Sequence, residues 1–275
     1  MRASDIAGLT GVAIAFAPAL LAMARVWGAH EYTSHGFLVP FVAWWLFAAR
    51  RRELGPPGRD PRGLASLGAA ALMLAAGFAL GNPTVLGLAF VLAVASLVLT
   101  AWGPRGLRRV AFPVGFLLFM VPVPPALLDP LILRLQLFVS SAAVTSLQAL
   151  GFTLMREGNV VLLPGDRQLF VDQACSGITS VVTLLPLGAL LAHLAARGWM
   201  RRTALLLSVV PIAMLGNWLR VVGTVAAAQR FGPERVLAGP LHESAGLLTF
   251  LFACSLLLGL VALLRVRPGP ERSPV

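Results

Sequence analysis

The sequence predicts an all-α fold, a polytopic bundle of about eight transmembrane helices with one interfacial amphipathic helix and a small external hairpin or loop. Hydrophobic residues make up 58% of the 275-residue chain, charged residues only 12%, and the mean hydropathy is +0.84. These values lie far outside the range of soluble domains. Runs of about 20 mostly apolar residues are long enough to cross a hydrocarbon core of roughly 30 Å. The segments that we assign as crossings are 6–27, 34–49, 63–81, 83–102, 108–123, 175–196, 203–228 and 243–264.

The first segment, 6–27, is expected to stay as a helix, because it is long and no clear cleavage motif of small residues precedes a soluble mature chain. We expect a single membrane domain over 1–264 and a short cytoplasmic tail over 265–275. The apolar stretch 126–151 differs from the others because its leucines are interleaved with Asp129, Arg134, Gln136 and Gln148. We assign this stretch to the membrane interface or to a re-entrant position.

Arginines concentrate in the short connections between apolar runs, which is the positive-inside pattern of cytoplasmic loops. The net charge of +11 therefore reflects membrane topology and does not indicate nucleic-acid binding. Four clusters mark the cytoplasmic side: Arg50 to Arg52 with Arg59 and Arg62; Arg105, Arg108 and Arg109; Arg197, Arg201 and Arg202; and Arg265 with Arg267. Each crossing moves the chain to the other side of the membrane. The second and third clusters are both cytoplasmic, and the crossings 108–123 and 175–196 already account for the two changes of side between them. The stretch 126–151 must therefore cross an even number of times, most simply zero, and both termini are then cytoplasmic.

The segment 152–173 is external under this topology. Two short runs with strand propensity, 152–156 and 160–163, flank Glu157, Gly158 and Asn159. This pattern predicts a β-hairpin at the outer face, and a plain loop is the alternative.

Three residues that apolar segments rarely carry come to the outer membrane face under the same topology. Cys175 begins its helix there, and His242 directly precedes the last helix. Arg220 lies seventeen residues past Thr203, which at about 1.5 Å per residue is roughly 26 Å from the cytoplasmic end. A thiol, a guanidinium and an imidazole at one depth on three successive helices indicate a nucleophile site.

Each of the three residues also has a purely structural interpretation. A cysteine in a membrane helix is often a small packing residue, and we interpret Cys254 in this way. Cys175 differs because it lies at a predicted helix N-terminus, which lowers a thiol pKa from its reference of about 8.5. Arg220 alternatively only reaches lipid headgroups, and His242 alternatively is a polar residue at a helix start. The depths of Cys175 and Cys254 differ by about 15 Å, so Cys175 is predicted to be a free thiol. One cysteine with one histidine is too few for a metal site, and none is expected.

Several motifs accompany these residues along the chain. They read YTSHGFLVP at 32–40, followed by Trp44-Trp45 and the arginines at 50–52; FLLFMVPVP at 116–124; ACSGI at 174–178; NWLRV at 217–221; and the segment that starts at His242. Together they resemble the motifs of the exosortase family of bacterial integral-membrane transpeptidases, over most of the chain. In one departure, the family commonly has glutamate two residues before the cysteine, where this chain has Gln173 preceded by Asp172.

The resemblance implies that Cys175 is the nucleophile, that Arg220 and His242 are its partners, and that no cofactor takes part. The residues expected to bind substrate or support the site are Asn217, Ser176, Gly177, Gln173, Asp172 and His35. The implied activity is that of a thiol protease or transpeptidase that cleaves the C-terminal PEP-CTERM sorting signal of exported proteins through a thioester acyl-enzyme. Its implied place is the periplasmic face of the cell inner membrane.

The expected partners are exported proteins that end in a short motif, one transmembrane helix and an arginine-rich end, together with membrane lipids and an acceptor nucleophile. Water, a lipid and a polysaccharide all remain open as the acceptor, and nucleic acid is not expected. The alternative function is that of a non-catalytic transport or exopolysaccharide-export component, in which Arg220 and Asp129 line a polar path through the bundle. That alternative leaves Cys175 without a role.

Overall fold

The computed structural model describes residues 3–165, 167–171, 176–196, 198–237 and 240–264. Within them it confirms the predicted all-α membrane fold, with one small sheet. The helices are α1 (Ala3–Ala29), α2 (Val39–Arg50), α3 (Pro61–Ala79), α4 (Pro83–Arg109), α5 (Ala111–Phe116), α6 (Pro125–Ala149), α7 (Ile178–Ala195), α8 (Trp199–Phe231), α9 (Pro233–Leu237) and α10 (Pro240–Leu264). Short 3₁₀ segments lie at Glu31–Phe37, Arg51–Glu53 and Leu117–Met120, and the strands are β1 (Met155–Glu157), β2 (Val160–Leu163) and β3 (Arg167–Phe170).

The chain forms two compact units, Met1–Pro125 and Ala126–Val275. The predicted tail, 265–275, lies outside the described residues.

In the first unit, α3 and α4 form a hairpin in which glycines allow the two backbones to approach closely. A Cβ atom at Gly63 would overlap Thr100, and one at Gly77 would lie 2.7 Å from Leu86 Cδ2. Small residues at such positions are typical of helix contacts within membranes, where close van der Waals packing replaces the hydrophobic effect. The core beside the hairpin consists of Phe16, Ala19, Ala70, Leu86, Ala89 and Ala93.

A break in α4 at Gly103 and Pro104 fixes the loop that precedes α3. Gly103 has a φ of 65°, a left-handed conformation that glycine adopts readily. Pro104 has no N–H to donate to the carbonyl of Thr100 four residues earlier. The backbone N–H of Asp60 donates to that carbonyl instead, at 2.9 Å, so the break ties the loop to the end of α4.

Two of the eight predicted crossings do not form continuous long helices. The segment 34–49 begins within a 3₁₀ turn, and α2 has only 12 residues, about 18 Å at helical rise. The segment 108–123 divides into α5 and the 3₁₀ turn at Leu117–Met120. The described residues contain six helices long and apolar enough to cross a membrane, namely 61–79, 83–109, 125–149, 178–195, 199–231 and 244–264. The count of eight is therefore not confirmed, although the polytopic helical bundle is.

In the second unit, α7, α8 and α10 pack around one apolar core. Its fully buried side chains include Leu184, Leu205, Val209 and Leu257. Cys254 is half-buried and packs against this cluster, as its interpretation as a packing residue predicts.

The predicted hairpin forms, and a third strand joins it. Glu157 pairs with Val160 across the two-residue turn, in which Gly158 has a φ of 62°. β2 also pairs with β3, a strand that the sequence did not predict, so the sheet order is β1-β2-β3.

The helix α6 packs along this sheet. Val139, Val144 and Leu147 share a buried cluster with sheet residues and with the last turns of α8, around Val221 to Ala228. With 33 residues, α8 is about 50 Å long and exceeds a 30 Å hydrocarbon core. Its last turns extend past the part of α8 that packs against α7 and α10. By length and hydropathy, however, α6 is one of the six candidate spans. Its interfacial or re-entrant position stays a prediction.

Candidate active site

The helix α8 carries two of the predicted site residues on one face. Asn217 is 1% exposed and Arg220 is half-buried, and a separation of three residues places their side chains on the same side of a helix. Arg220 lies 21 residues past Trp199, about 32 Å from the start of α8. This is somewhat farther than the sequence predicted, because α8 begins four residues before Thr203.

Gly177 lies directly against the amide of Asn217. Its φ of 86° is in the left-handed region, and a Cβ atom there would be 3.2 Å from Asn217 Nδ2 and 3.2 Å from Met214 Sδ. Both the backbone conformation and the space therefore favour glycine. This contact joins the ACSGI motif at 174–178 to the NWLRV motif at 217–221.

Gly177 also sets the start of α7, which corrects one sequence prediction. The helix begins at Ile178 and not at Cys175, because the left-handed residue cannot belong to a right-handed helix. Ser176 is fully buried, and its Oγ accepts a hydrogen bond of 3.2 Å from the N–H of Ile178. Ser176 and Gly177 thus have a structural role at the start of α7.

On its other side, Arg220 lies against α10. A Cβ atom at Gly246 would be 3.5 Å from both Cζ and Nη2 of Arg220, an ordinary van der Waals distance. One turn along α8, a Cβ at Gly216 would be 3.2 Å from Thr249 Cγ2. The stretch of α8 from Met214 to Arg220 therefore lies between the start of α7 and the second turn of α10.

The predicted nucleophile and two of its neighbours lie outside the described residues, namely Cys175, Gln173 and Asp172. His242 lies in the first turn of α10, and only its backbone is described. What the structure brings together is the set of residues adjoining these positions: Ser176, Gly177, Asn217, Arg220 and Gly246. Gly246 was not predicted, and its position one turn after His242 is the signal that identifies it.

His35 lies in the first unit, where two motifs meet. Its Nε2 is 2.9 Å from the backbone oxygen of Phe119, which can only accept, so Nε2 carries the proton. Burial lowers the pKa of His35 from its usual value, and hydrogen bonding to the backbone of Phe119 opposes that shift. Nearby, Trp27 Nε1 donates to the carbonyl of Met120 at 2.9 Å, and a Cβ at Gly36 would be 2.5 Å from the same Nε1. The YTSHGFLVP and FLLFMVPVP motifs are therefore joined by packing around His35.

Among the described residues, no three of the metal-binding types His, Cys, Asp and Glu lie close enough together to hold a metal ion.

A comparison with known families places this arrangement. The family model described as transmembrane exosortase matches residues 27–259, which cover most of each compact unit and all the motifs above. No curated protein and no solved structure matches the chain. The match covers most of the sequence, and the chain belongs to the transmembrane exosortase family.

Proposed function

We propose that this exosortase is a membrane cysteine transpeptidase, which cleaves the C-terminal sorting signal of exported proteins with Cys175 as nucleophile. The observation that carries the proposal is the position of Asn217 and Arg220 between Gly177 and Gly246. Gly177 lies two residues after Cys175 in sequence, and Gly246 lies four residues after His242. Family membership supports an exosortase-type function, and this packing supports a site in which Cys175 and His242 act beside Arg220.

Chain geometry supports the same grouping. Two peptide units separate Cys175 from Gly177, so their Cα atoms are at most about 7.6 Å apart. Four residues separate His242 from Gly246 on α10, a rise of about 6 Å. Both distances are within the reach of side chains that act on one bound peptide.

In the proposed mechanism the Cys175 thiolate attacks the scissile carbonyl carbon, forming a C–S bond and placing negative charge on the carbonyl oxygen. The Arg220 guanidinium stabilises the thiolate before the attack and the oxyanion after it. As the tetrahedral intermediate collapses, the C–N bond breaks and the His242 imidazolium gives a proton to the departing amine. The products are the released tail, a neutral His242 and a thioester on Cys175.

The second half of the reaction reverses these roles. Neutral His242 takes a proton from the acceptor, which attacks the thioester carbonyl and expels the Cys175 thiolate. Water as acceptor gives proteolysis, whereas a lipid or polysaccharide hydroxyl gives transfer. Asn217, nearly fully buried against Gly177, supports the geometry of the turn before α7 without entering this proton transfer.

We place this site at the outer face of the inner membrane, and labelling of the two cysteines tests the placement. A membrane-impermeant maleimide added to spheroplasts should label Cys175 and leave Cys254 unmodified, because Cys254 packs within the apolar core of the second unit. Labelling of Cys175 only after lysis would contradict the placement at the outer face.

The function itself is tested by processing of a co-expressed protein that carries a motif, a transmembrane helix and an arginine-rich end. Cys175→Ala should abolish processing. Cys175→Ser should reduce it by orders of magnitude, since a hydroxyl has nearly the same size but ionises far less readily. Cys254→Ala is the matched control and should process normally. Normal processing by Cys175→Ala would exclude the enzyme and favour the non-catalytic export component.

A further inference from the structure

The first unit contains an apolar cavity of about 980 Å³ that the proposed reaction does not use. Side chains from α2, α3, α4 and the α5 segment line it, among them Trp44, Phe47, Phe90, Val94, Leu97 and Leu117. Trp44 is 68% exposed, so the cavity opens to the surroundings of the bundle, whereas Leu117 at its inner wall is buried. A volume of this size is at the upper end of small-molecule sites.

The length of the cavity matches one leaflet of a bilayer. Its lining on α4 runs from Phe90 to Trp102, twelve residues or about 18 Å at helical rise. Half of a hydrocarbon core of roughly 30 Å is about 15 Å. The cavity therefore has the depth that an acyl chain occupies.

At its end near Trp102 the apolar cavity adjoins a polar one of about 590 Å³. The two cavities share Arg59 and Trp102 in their linings. Arg51 also lines the apolar cavity, and Arg62 and Asp60 line the polar one, where two guanidinium groups outnumber one carboxylate. The loop segment 50–62 has five arginines and two carboxylates, a net charge of +3 from 5 − 2. A long apolar compartment that ends in a cationic polar compartment is complementary to an amphiphile with a negative headgroup.

The boundary between the two compartments is held by hydrogen bonds to backbone carbonyls. The N–H of Gly58 donates to the carbonyl of Ala101 at 2.6 Å, and Trp102 Nε1 donates to the carbonyl of Gly55 at 3.1 Å. Together with the bond from Asp60 to Thr100, these contacts fix the loop on the broken end of α4. The site therefore has a built polar rim and is not only a gap between helices.

We propose that these two cavities bind one anionic glycerophospholipid, with an acyl chain in the apolar cavity and the phosphate group at Arg51 and Arg59. Basic pockets between transmembrane helices on the cytoplasmic side are a recognised site for anionic headgroups. An arginine-rich peptide is disfavoured by the like charge of the rim. The proposal does not depend on the proposed chemistry at Cys175.

Native mass spectrometry of the full-length protein in mild detergent tests the proposal, with phosphatidylglycerol and phosphatidylcholine of equal chain length supplied in equal amounts. We expect selective retention of phosphatidylglycerol. Each arginine replaced by glutamine should weaken that binding about fivefold, and Arg51→Gln with Arg59→Gln about 25-fold, from the usual contribution of one basic residue at an anionic surface. The control pair, Arg105→Gln with Arg108→Gln, removes the same charge from exposed positions that line neither cavity and should bind normally.

A photoreactive amino acid at Leu97, inside the apolar cavity, supplies a second measurement that does not depend on the arginine variants folding well. Cross-linking in membranes should give a phospholipid adduct. A polypeptide adduct would replace the lipid by a protein partner and overturn the proposal. Equal binding of the two lipids, or equal loss of binding in both arginine pairs, would also overturn it, since either result describes non-specific surface lipid.

Discussion

Replacement of Gly177 by alanine tests the packing that joins the ACSGI and NWLRV motifs. An alanine at a φ of 86° costs about 1–2 kcal/mol relative to glycine. The added methyl group would also lie 3.2 Å from Asn217 Nδ2 and from Met214 Sδ, and overpacking of this kind costs about 1–3 kcal/mol. Gly177→Ala should therefore destabilise the second unit by about 2–5 kcal/mol.

Gly151 is a matched control, because it separates backbone strain from crowding. Its φ is 88°, close to that of Gly177, and a Cβ atom there would meet nothing within 4 Å. Gly151→Ala should therefore cost only the strain, about 1–2 kcal/mol. Unfolding of both variants in detergent, followed as a function of denaturant, gives the two free energies and, by difference, the cost of the contact.

The same pair of variants tests the link between this contact and processing. A displacement of about 1 Å in a catalytic group lowers a rate by about 100-fold, so Gly177→Ala should process a tailed substrate far more slowly than Gly151→Ala. The rates are compared by immunoblot time courses at equal membrane expression. If Gly177→Ala matched Gly151→Ala in both stability and processing, the contact with Asn217 would have no part in positioning the site.

Two further variants test the hairpin of the first unit and the role of Arg220. Gly63→Ala should destabilise that unit by about 1–3 kcal/mol, because its methyl group would overlap Thr100. Gly68→Ala, on the same helix, meets open space and should be neutral or slightly stabilising. Equal thermal stability of the two variants would refute the close approach of α3 and α4. Arg220→Lys should insert normally yet lose most processing, because an ammonium does not reproduce the planar fork of a guanidinium. Arg235→Lys, on the exposed surface of α9, is the control and should process normally. Near-wild-type processing rates for Arg220→Lys would assign Arg220 a structural role.

The local turns of this protein could be predicted from its sequence, because glycine and proline restrict or permit the backbone conformations that turns require. The sequence ends one helix at residue 102, and the structure breaks α4 at Gly103, whose left-handed conformation precedes a proline. The hairpin around Glu157, Gly158 and Asn159 was predicted on the same grounds and is confirmed, although Glu157 pairs with Val160 and so belongs to the first strand.

The start of α7 was predicted wrongly because a tertiary contact decides it. Hydropathy continues smoothly from Cys175 into the helix, and the sequence alone gives no reason to exclude the first residues. The close approach of Asn217 and the left-handed backbone both favour glycine at position 177, and the helix begins after it. The pairing of β3 with β2 is local, because only a short connection separates the two strands, and the sequence analysis did not consider a second hairpin.

The short lengths of α2 and α5 could also not be predicted from the sequence. Both come from apolar runs of 16 residues, 34–49 and 108–123, and hydropathy does not distinguish a continuous helix from one interrupted by 3₁₀ turns. For the site, the sequence predicted Asn217, Arg220 and Gly177 as site residues from their motifs, and the contact between Gly177 and Asn217 comes from the structure. The sequence did not predict Gly246, although that residue lies one turn after His242, because its contact with the Arg220 guanidinium is a tertiary one.

Isolation of the acyl-enzyme tests the central claim most directly. Purified protein carrying His242→Ala, which removes the group that activates the acceptor, is incubated with a tailed substrate, digested and analysed by mass spectrometry. The account predicts a substrate fragment attached to Cys175 through a thioester, released by neutral hydroxylamine and absent from Cys175→Ala. Because loss of His242 also slows formation of the thioester, wild-type enzyme quenched in acid during turnover is analysed in parallel. Active wild-type enzyme that showed no hydroxylamine-sensitive fragment on Cys175 would contradict nucleophilic catalysis by this residue.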